Sequence, residues 1–362
     1  MSVYLSSKNY PCDSGAEDRS LFQALDSILA SDYKGSLFSM LGGYQRILAD
    51  NRMREQWDVL FDKLNTLFKC GSNATLDGPM IGVSLSIRDS DYFRETARIF
   101  GNDRSLVAQI EWMATCWNAT FASTGLWMGK TFEPVSRETF AAKCDNDPQM
   151  LKLFDPAVTR IGRNFFREPA DPNYLQSLGM PVLTELWRLR ARPLEVSAPG
   201  FDGQLLEKNI EKEQFIPHSK TGGIFLSLPG NSVVREMKGK PVYQLNYRWP
   251  SLQPVYPMTR LIDELVQIGE GIYLGQLVMA TRHYGLGTIR ITPFAKVSSS
   301  WELGEPYRPS DAHQAMDYGY QNNGFFLMID PKFAGAAYAD DAFPHLRPRP
   351  GETGYRELGY DS

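Results

Sequence analysis

The stretch PVYQLNYRW, residues 241–249, restricts the fold more than any other. In extended chain it places Tyr243, Leu245, Tyr247 and Trp249 on one side and Gln244, Asn246 and Arg248 on the other. A period of two belongs to a half-buried strand and not to a helix. It recurs in kind along the second half of the chain. GGIFLSLPG (222–230), GIYLGQLVMAT (271–281), GTIRITPFAKVSSS (287–300) and NNGFFLMIDP (322–331) read as further strands. Gly285, Gly287 and Asn322-Asn323-Gly324 supply the turn signals between them. Several antiparallel strands at such spacing predict a barrel or a sandwich.

The first 70 residues read differently. Leu21, Leu25, Ile28 and Leu29 share a helix face, with Asp18 placed to cap the helix and Gly35 to stop it. A second helical region covers about 36–69, with Leu60, Leu64, Leu67 and Phe68 as its stripe. LDGPMIGVSLSI (76–87) then reads as a strand. Residues 105–124 fit either a helix or a pair of strands, and TGLWMGKTFEP (124–134) is short and punctuated by glycine. Residues 145–200 read as a connecting segment with VLTELWRLRA (182–191) as its best helix, and the tail from Phe333 reads as loop. The expected class is α+β: a helical region (1–70), a mixed half (71–200), an antiparallel β-barrel-like region (201–335) and an irregular tail (336–362).

Composition narrows the function classes. The net charge of −4 argues against phosphate-driven nucleic-acid binding. No apolar run approaches the roughly 18 residues of a membrane span, and the start lacks the features of a secretory leader. Cys12, Cys70, Cys116 and Cys144 show no metal or redox spacing, so free, structural thiols in a reducing cytoplasm are expected. The four histidines stand outside short ligand spacings, and no metal or cofactor is expected. The chain has neither a phosphate loop nor a nucleophile elbow. GLGTIR (285–290) approaches a dinucleotide fingerprint but lacks the strand–helix context. These absences argue against common nucleotide hydrolases, dehydrogenases and serine hydrolases.

Asp263 and Glu264 stand side by side in the apolar run RLIDELVQIG (260–269). As a strand, the run places Arg260, Ile262, Glu264 and Val266 on one face and Leu261, Asp263 and Leu265 on the other. At least one acid then enters an apolar side and needs a partner, with Arg248 or Arg290 as candidates. As a helix, both acids are solvated. Gly271 reads as a turn, and Gly275 and Gly82 read as strand positions where something approaches closely or the strand bends.

The pattern Gly125-x-Trp127-x-Gly129, together with LDGPMIG and RLIDELVQIGEGIYLG, resembles bacterial lipocalin-like proteins of the GXWXG type. The resemblance covers about a quarter of the chain in short pieces. It implies small β-barrels or half-barrels that hold an apolar ligand, and it transfers no catalytic residue. On this reading the chain binds an apolar small molecule, such as a lipid, terpenoid or polyketide. Trp127, Lys130, Tyr243, Tyr247, Trp249, Arg260, Tyr273 and Arg290 are the candidate contacts. A second reading is a cofactor-independent isomerase, cyclase or lyase using the same cavity, with Asp263 or Glu264 as general acid and His283 or Lys130 as its counterpart. A third is a protein-interaction module acting through the helical N-terminus and the tail.

Overall fold

In the computed structural model, the described residues are 16–87, 126–169, 181, 184–191, 213–234, 237, 239–255, 258–280, 287–292, 295–299, 320–339, 342–352, 355–356 and 358–359. Three N-terminal helical pieces lead into the sheet: α1 (Ala16–Asp32), α2 (Leu37–Ala49) and α3 (Trp57–Cys70). Ser36 caps α2 by accepting from the Ser39 amide. The stripe expected in α3 is buried in full. In α1, Leu25 and Leu29 are buried, but Leu21 is exposed and Phe22 takes its place against the core. Asp18 lies inside α1 and not at its cap.

The strands are β1 (Gly78–Ile87), β2 (Trp127–Pro134), β3 (Arg160–Phe166), β4 (Arg190–Ala191), β5 (Lys220–Asn231), β6 (Pro241–Asn246), β7 (Leu261–Gly269), β8 (Ile272–Ala280), β9 (Gly287–Thr292), β10 (Ala295–Ser299) and β11 (Tyr320–Ile329). Neighbours run β3-β2-β1-β11-β8-β7-β6-β5, and β5 pairs back onto β3, so eight antiparallel strands close into a barrel. β4 adds a short ninth strand on β5, while β9 and β10, among the described residues, form a separate two-stranded pair. The protein is thus α+β, a closed barrel with an N-terminal helical region. Both β regions of the sequence contribute to this one barrel: β1, β2 and β3 come from residues 71–200, and β5, β6, β7, β8 and β11 from 201–335.

Closure explains which strands alternate clearly in sequence and which do not. The outer faces of β1, β7, β8 and β11 are covered by the N-terminal helices. Ile81, Val83, Ile262, Val266, Leu274 and Leu327 form one apolar cluster with Leu41, Leu64 and Phe68. Both faces of these strands are therefore buried, and the sequence reads as nearly continuous apolar runs. The outer face of β3 and β5 is covered by the short helices Arg137–Lys143 and Pro148–Leu153, through Phe140, Met150, Ile161, Leu226 and Leu228. The tail is not loose. Tyr338, Phe343 and Leu346 are buried in the helical cluster, and the Arg167 guanidinium donates to the His345 carbonyl and pairs with Glu352 at 3.3 Å.

Two other expectations are corrected. Within 182–191, Thr184–Leu186 are helical, but a turn at Trp187 and Arg188 leads into β4. Cys70 is disulfide-bonded, its partner outside the described residues, whereas Cys144 is free and buried. No helix among the described residues is long and apolar enough to cross a membrane.

The barrel interior is filled by aromatic rings seated on glycines. Phe326 lies over Gly275, Phe225 over Gly162 and Trp187 over Gly223. A Cβ at these positions would come within 2.2, 2.3 and 2.2 Å of the ring. Gly82 and Gly129 face each other across β1 and β2. Gly129 has φ +142°, and a Cβ there would lie 2.0 Å from the Met80 carbonyl oxygen.

These contacts rank three substitutions. Gly129→Ala meets backbone and a forbidden φ, and should yield little folded protein. Gly275→Ala displaces only the Phe326 ring, and should cost about 1–3 kcal/mol, as overpacking does. Gly335→Ala, in the helix Ala334–Ala337 with nothing within 4 Å, should be neutral or stabilising. Thermal unfolding followed by circular dichroism checks the order, and equal midpoints for all three would refute it.

Candidate functional site

Alternation along β7 sends its adjacent acids to opposite sides of the barrel wall. Asp263 points inward with Leu261 and Leu265, which belong to the interior cluster, and Glu264 points outward with Ile262 and Val266. Both are buried, with exposures of 1% and 0%. Each is satisfied by a different device.

Glu264 is held by neutral donors. It lies opposite Gln244 on β6 and Gln276 on β8, and both side-chain amides donate to it, at 3.1 and 2.7 Å. The Ser232 hydroxyl donates at 2.6 Å and the Val233 amide at 2.7 Å. Burial pushes its pKa above the usual carboxylate range, and the four donors oppose the shift. The acid acts as an outer clasp joining β6, β7, β8 and the loop after β5.

Asp263 is held by a cation. The Lys130 ammonium, from β2, lies 3.0 Å from Asp263 Oδ2 and donates to Asn164 Oδ1 and to the Tyr247 hydroxyl oxygen, each at 2.6 Å. Tyr247 in turn donates to Asp263 Oδ2 at 2.6 Å. Asn164 also accepts from Trp127 Nε1 at 3.0 Å and donates to the Gly223 carbonyl at 2.8 Å. Four rings surround the ammonium: Trp127, Tyr247, Phe326 and Phe225, with centroids 5.0, 5.3, 5.4 and 5.6 Å away. Burial lowers the Lys130 pKa below the ordinary lysine range, with Asp263 working in the opposite direction. Burial and the Asp263 charge raise Tyr247 well above the usual phenol.

One atom of this network has no partner among the described residues. Asp263 Oδ1 is buried and accepts no hydrogen bond. Asp263 and Lys130 line a cavity with Ser84, Ser86, Trp127, Trp187, Leu277, Phe325 and Phe326. Counted with the open solvent at its mouth it spans about 370 Å³, while the space it encloses has room for about two waters. A second groove is lined in part by Trp187, Tyr247, Leu252 and Met258. Trp187 is common to both and stands between them, edge-on to Tyr247 at 5.9 Å.

Of the residues expected from sequence, Trp127, Lys130, Tyr247 and Asp263 meet in this site. Tyr243 and Tyr273 also belong to the interior cluster but lie outside the lining of the cavity, and the Tyr243 hydroxyl is occupied by the Val158 carbonyl at 2.7 Å. Arg260 is buried in the turn Met258–Arg260 before β7, away from the cavity lining. Trp249 leaves the shared face, because β6 ends at Asn246 and the chain turns at Pro250. Its ring packs outside the barrel with Phe140 and Leu252. Arg248 is not the partner of the inward acid, since it donates to Asn246 Oδ1 and to the Tyr320 hydroxyl. The side chain of Arg290, in β9, and the whole of His283 lie outside the described residues. Asn164, Ser84, Ser86 and Trp187 are site residues that sequence reading missed. Among the described residues no group of three or more His, Cys, Asp or Glu side chains could hold a metal ion. No protein-family model, curated protein or solved structure matches the chain.

The raised pKa of Glu264 sets a pH dependence. Below 4.5 the acid is protonated both folded and unfolded, and costs nothing. Above that value the unfolded chain ionises first, so the folded state loses stability as pH rises, until Glu264 ionises in the fold. Glu264→Gln removes this loss. Its urea midpoint relative to the parent should therefore rise as pH climbs from just below 4.5 toward neutrality. Parallel pH curves for the two proteins would contradict the assignment.

Proposed function

We propose that the barrel binds a small, largely apolar molecule bearing one polar group, seated in the cavity beside Lys130 and Asp263. The observation that carries this reading is the orphaned Asp263 Oδ1 in a cavity walled by Trp127, Phe325, Phe326 and Leu277. A buried acceptor without a donor costs about 1–3 kcal/mol, and a bound ligand that offered a hydroxyl or amine proton would recover part of it. Eight-stranded barrels have interiors that either fill with side chains or admit one small ligand. Here rings fill most of the space and the cavity encloses little volume, which favours a ligand of one ring or a short chain over a long lipid. Trp127 and Gly129, two of the three residues of the G-x-W-x-G pattern that forms part of the lipocalin-like resemblance, belong to β2, which also supplies Lys130.

Native mass spectrometry of the purified protein, with organic extraction, tests the reading. A single apolar molecule should come off, or one equivalent of a small aromatic alcohol such as benzyl alcohol should be taken up. Ser84→Leu, which fills the cavity, should weaken that uptake at least tenfold, about 1.4 kcal/mol. An apo mass with no uptake, or uptake indifferent to Ser84→Leu, would overturn it.

A further inference from the structure

The polar group at the cavity floor is an amine of unusual placement. Lys130 has 3% exposure and lines the cavity beside the unpartnered Asp263 Oδ1. An ion pair serving only to hold strands together has no need of a cavity lined by both its members, nor of a carboxylate oxygen left without a donor among the described residues. Both are what a carbonyl condensation requires. We propose that the site takes a small apolar aldehyde or ketone, and that Lys130 Nζ condenses with its carbonyl carbon to form a Schiff base. This deepens the preceding reading and rests on it.

The step balances without oxidant or reductant. The ammonium first gives a proton to Asp263, which lies 3.0 Å away. The free Nζ lone pair then forms a C–N bond as the carbonyl π pair moves to oxygen, and that oxygen takes a proton. Loss of the oxygen as water breaks the C–O bond and leaves a C=N bond, so that amine plus carbonyl gives imine plus water. Burial, which lowers the lysine pKa, favours the neutral amine that must attack. Asp263 Oδ1, which has no donor among the described residues, is the atom free to exchange protons with the departing oxygen.

The surroundings also suit the product. A protonated Schiff base keeps one N–H, which Asp263 accepts as counter-ion. Asn164 Oδ1 retains the Trp127 donor, and the Tyr247 hydroxyl retains its bond to Asp263, so no partner of the former ammonium is stranded. The four rings remain around a delocalised cation.

The full chain is incubated near neutral pH with benzaldehyde and sodium cyanoborohydride, which reduces an imine to a stable secondary amine. Intact mass followed by peptide mapping should show one benzyl group, on Lys130. Lys130→Met should lose the adduct. Tyr247→Phe, which keeps the lysine and relaxes its hold on the proton network, should change the trapping rate roughly a hundredfold, the scale of one proton-transfer group. Uptake of benzyl alcohol by the parent without trapping at Lys130 would overturn the Schiff base and leave the binding reading intact. Failure to bind either compound would overturn both. Label spread over surface lysines and unchanged in Lys130→Met would also refute the assignment, and if that variant does not fold, mapping of the parent alone decides.

Discussion

The pairing of β3 with β5, from Arg160 opposite Ser227 to Phe166 opposite Lys220, is the contact on which the architecture depends. It turns an open sheet into a ring, removes two free edges and fixes the interior diameter. Once that diameter is set, the interior has to be filled. Rings do this where the opposite wall is glycine: Phe225 over Gly162 and Phe326 over Gly275 occupy space that any larger residue would deny them. Tight filling leaves a gap among the described residues that is lined by a lysine and an aspartate.

A charge pair in such a place requires near-complete hydrogen bonding to be tolerated. Lys130 meets this with Asp263, Tyr247 and Asn164, and with a box of rings. The residues come from β2, β3, β7 and the position just after β6, so the pair also depends on closure. β3 reaches Lys130 as a direct neighbour of β2, where Asn164 lies opposite Lys130, but Asp263 reaches it only across the lumen. Fold and site are thus one construction.

Much of the frame was legible in the sequence, and the site only in part. The alternation of Tyr243, Leu245 and Tyr247 and the split of Asp263 from Glu264 follow from the period of a strand, which needs no partner to be seen. Gly271 and Gly82 were also readable, as a turn and a close approach, because glycine has few other uses inside a strand. The partner of Asp263 was not readable, since pairing across a lumen leaves no mark in local spacing, and the expected arginine proved to be a lysine from β2. β3 escaped notice because RIGRNFF is buried on both faces, so polar Arg163 and Asn164 break the alternation that would have revealed it. Trp249 misled in the opposite way: its spacing continues the pattern past the point where Pro250 ends the strand.

The two acids of β7 have a consequence for how the chain selects this structure among near neighbours. Leu, Ile and Val on either face of β7 are close to interchangeable, and apolar pattern alone would tolerate a strand shifted by one residue. The acids would not. A shift exchanges them, bringing an aspartate too short to reach Ser232 and Val233 to the Gln244–Gln276 row, and a longer glutamate into the ring-lined lumen. Each would lose a set of partners fitted to the other's length. Adjacent carboxylates facing opposite ways therefore act as an asymmetric key, which admits a single alignment of β7 between β6 and β8.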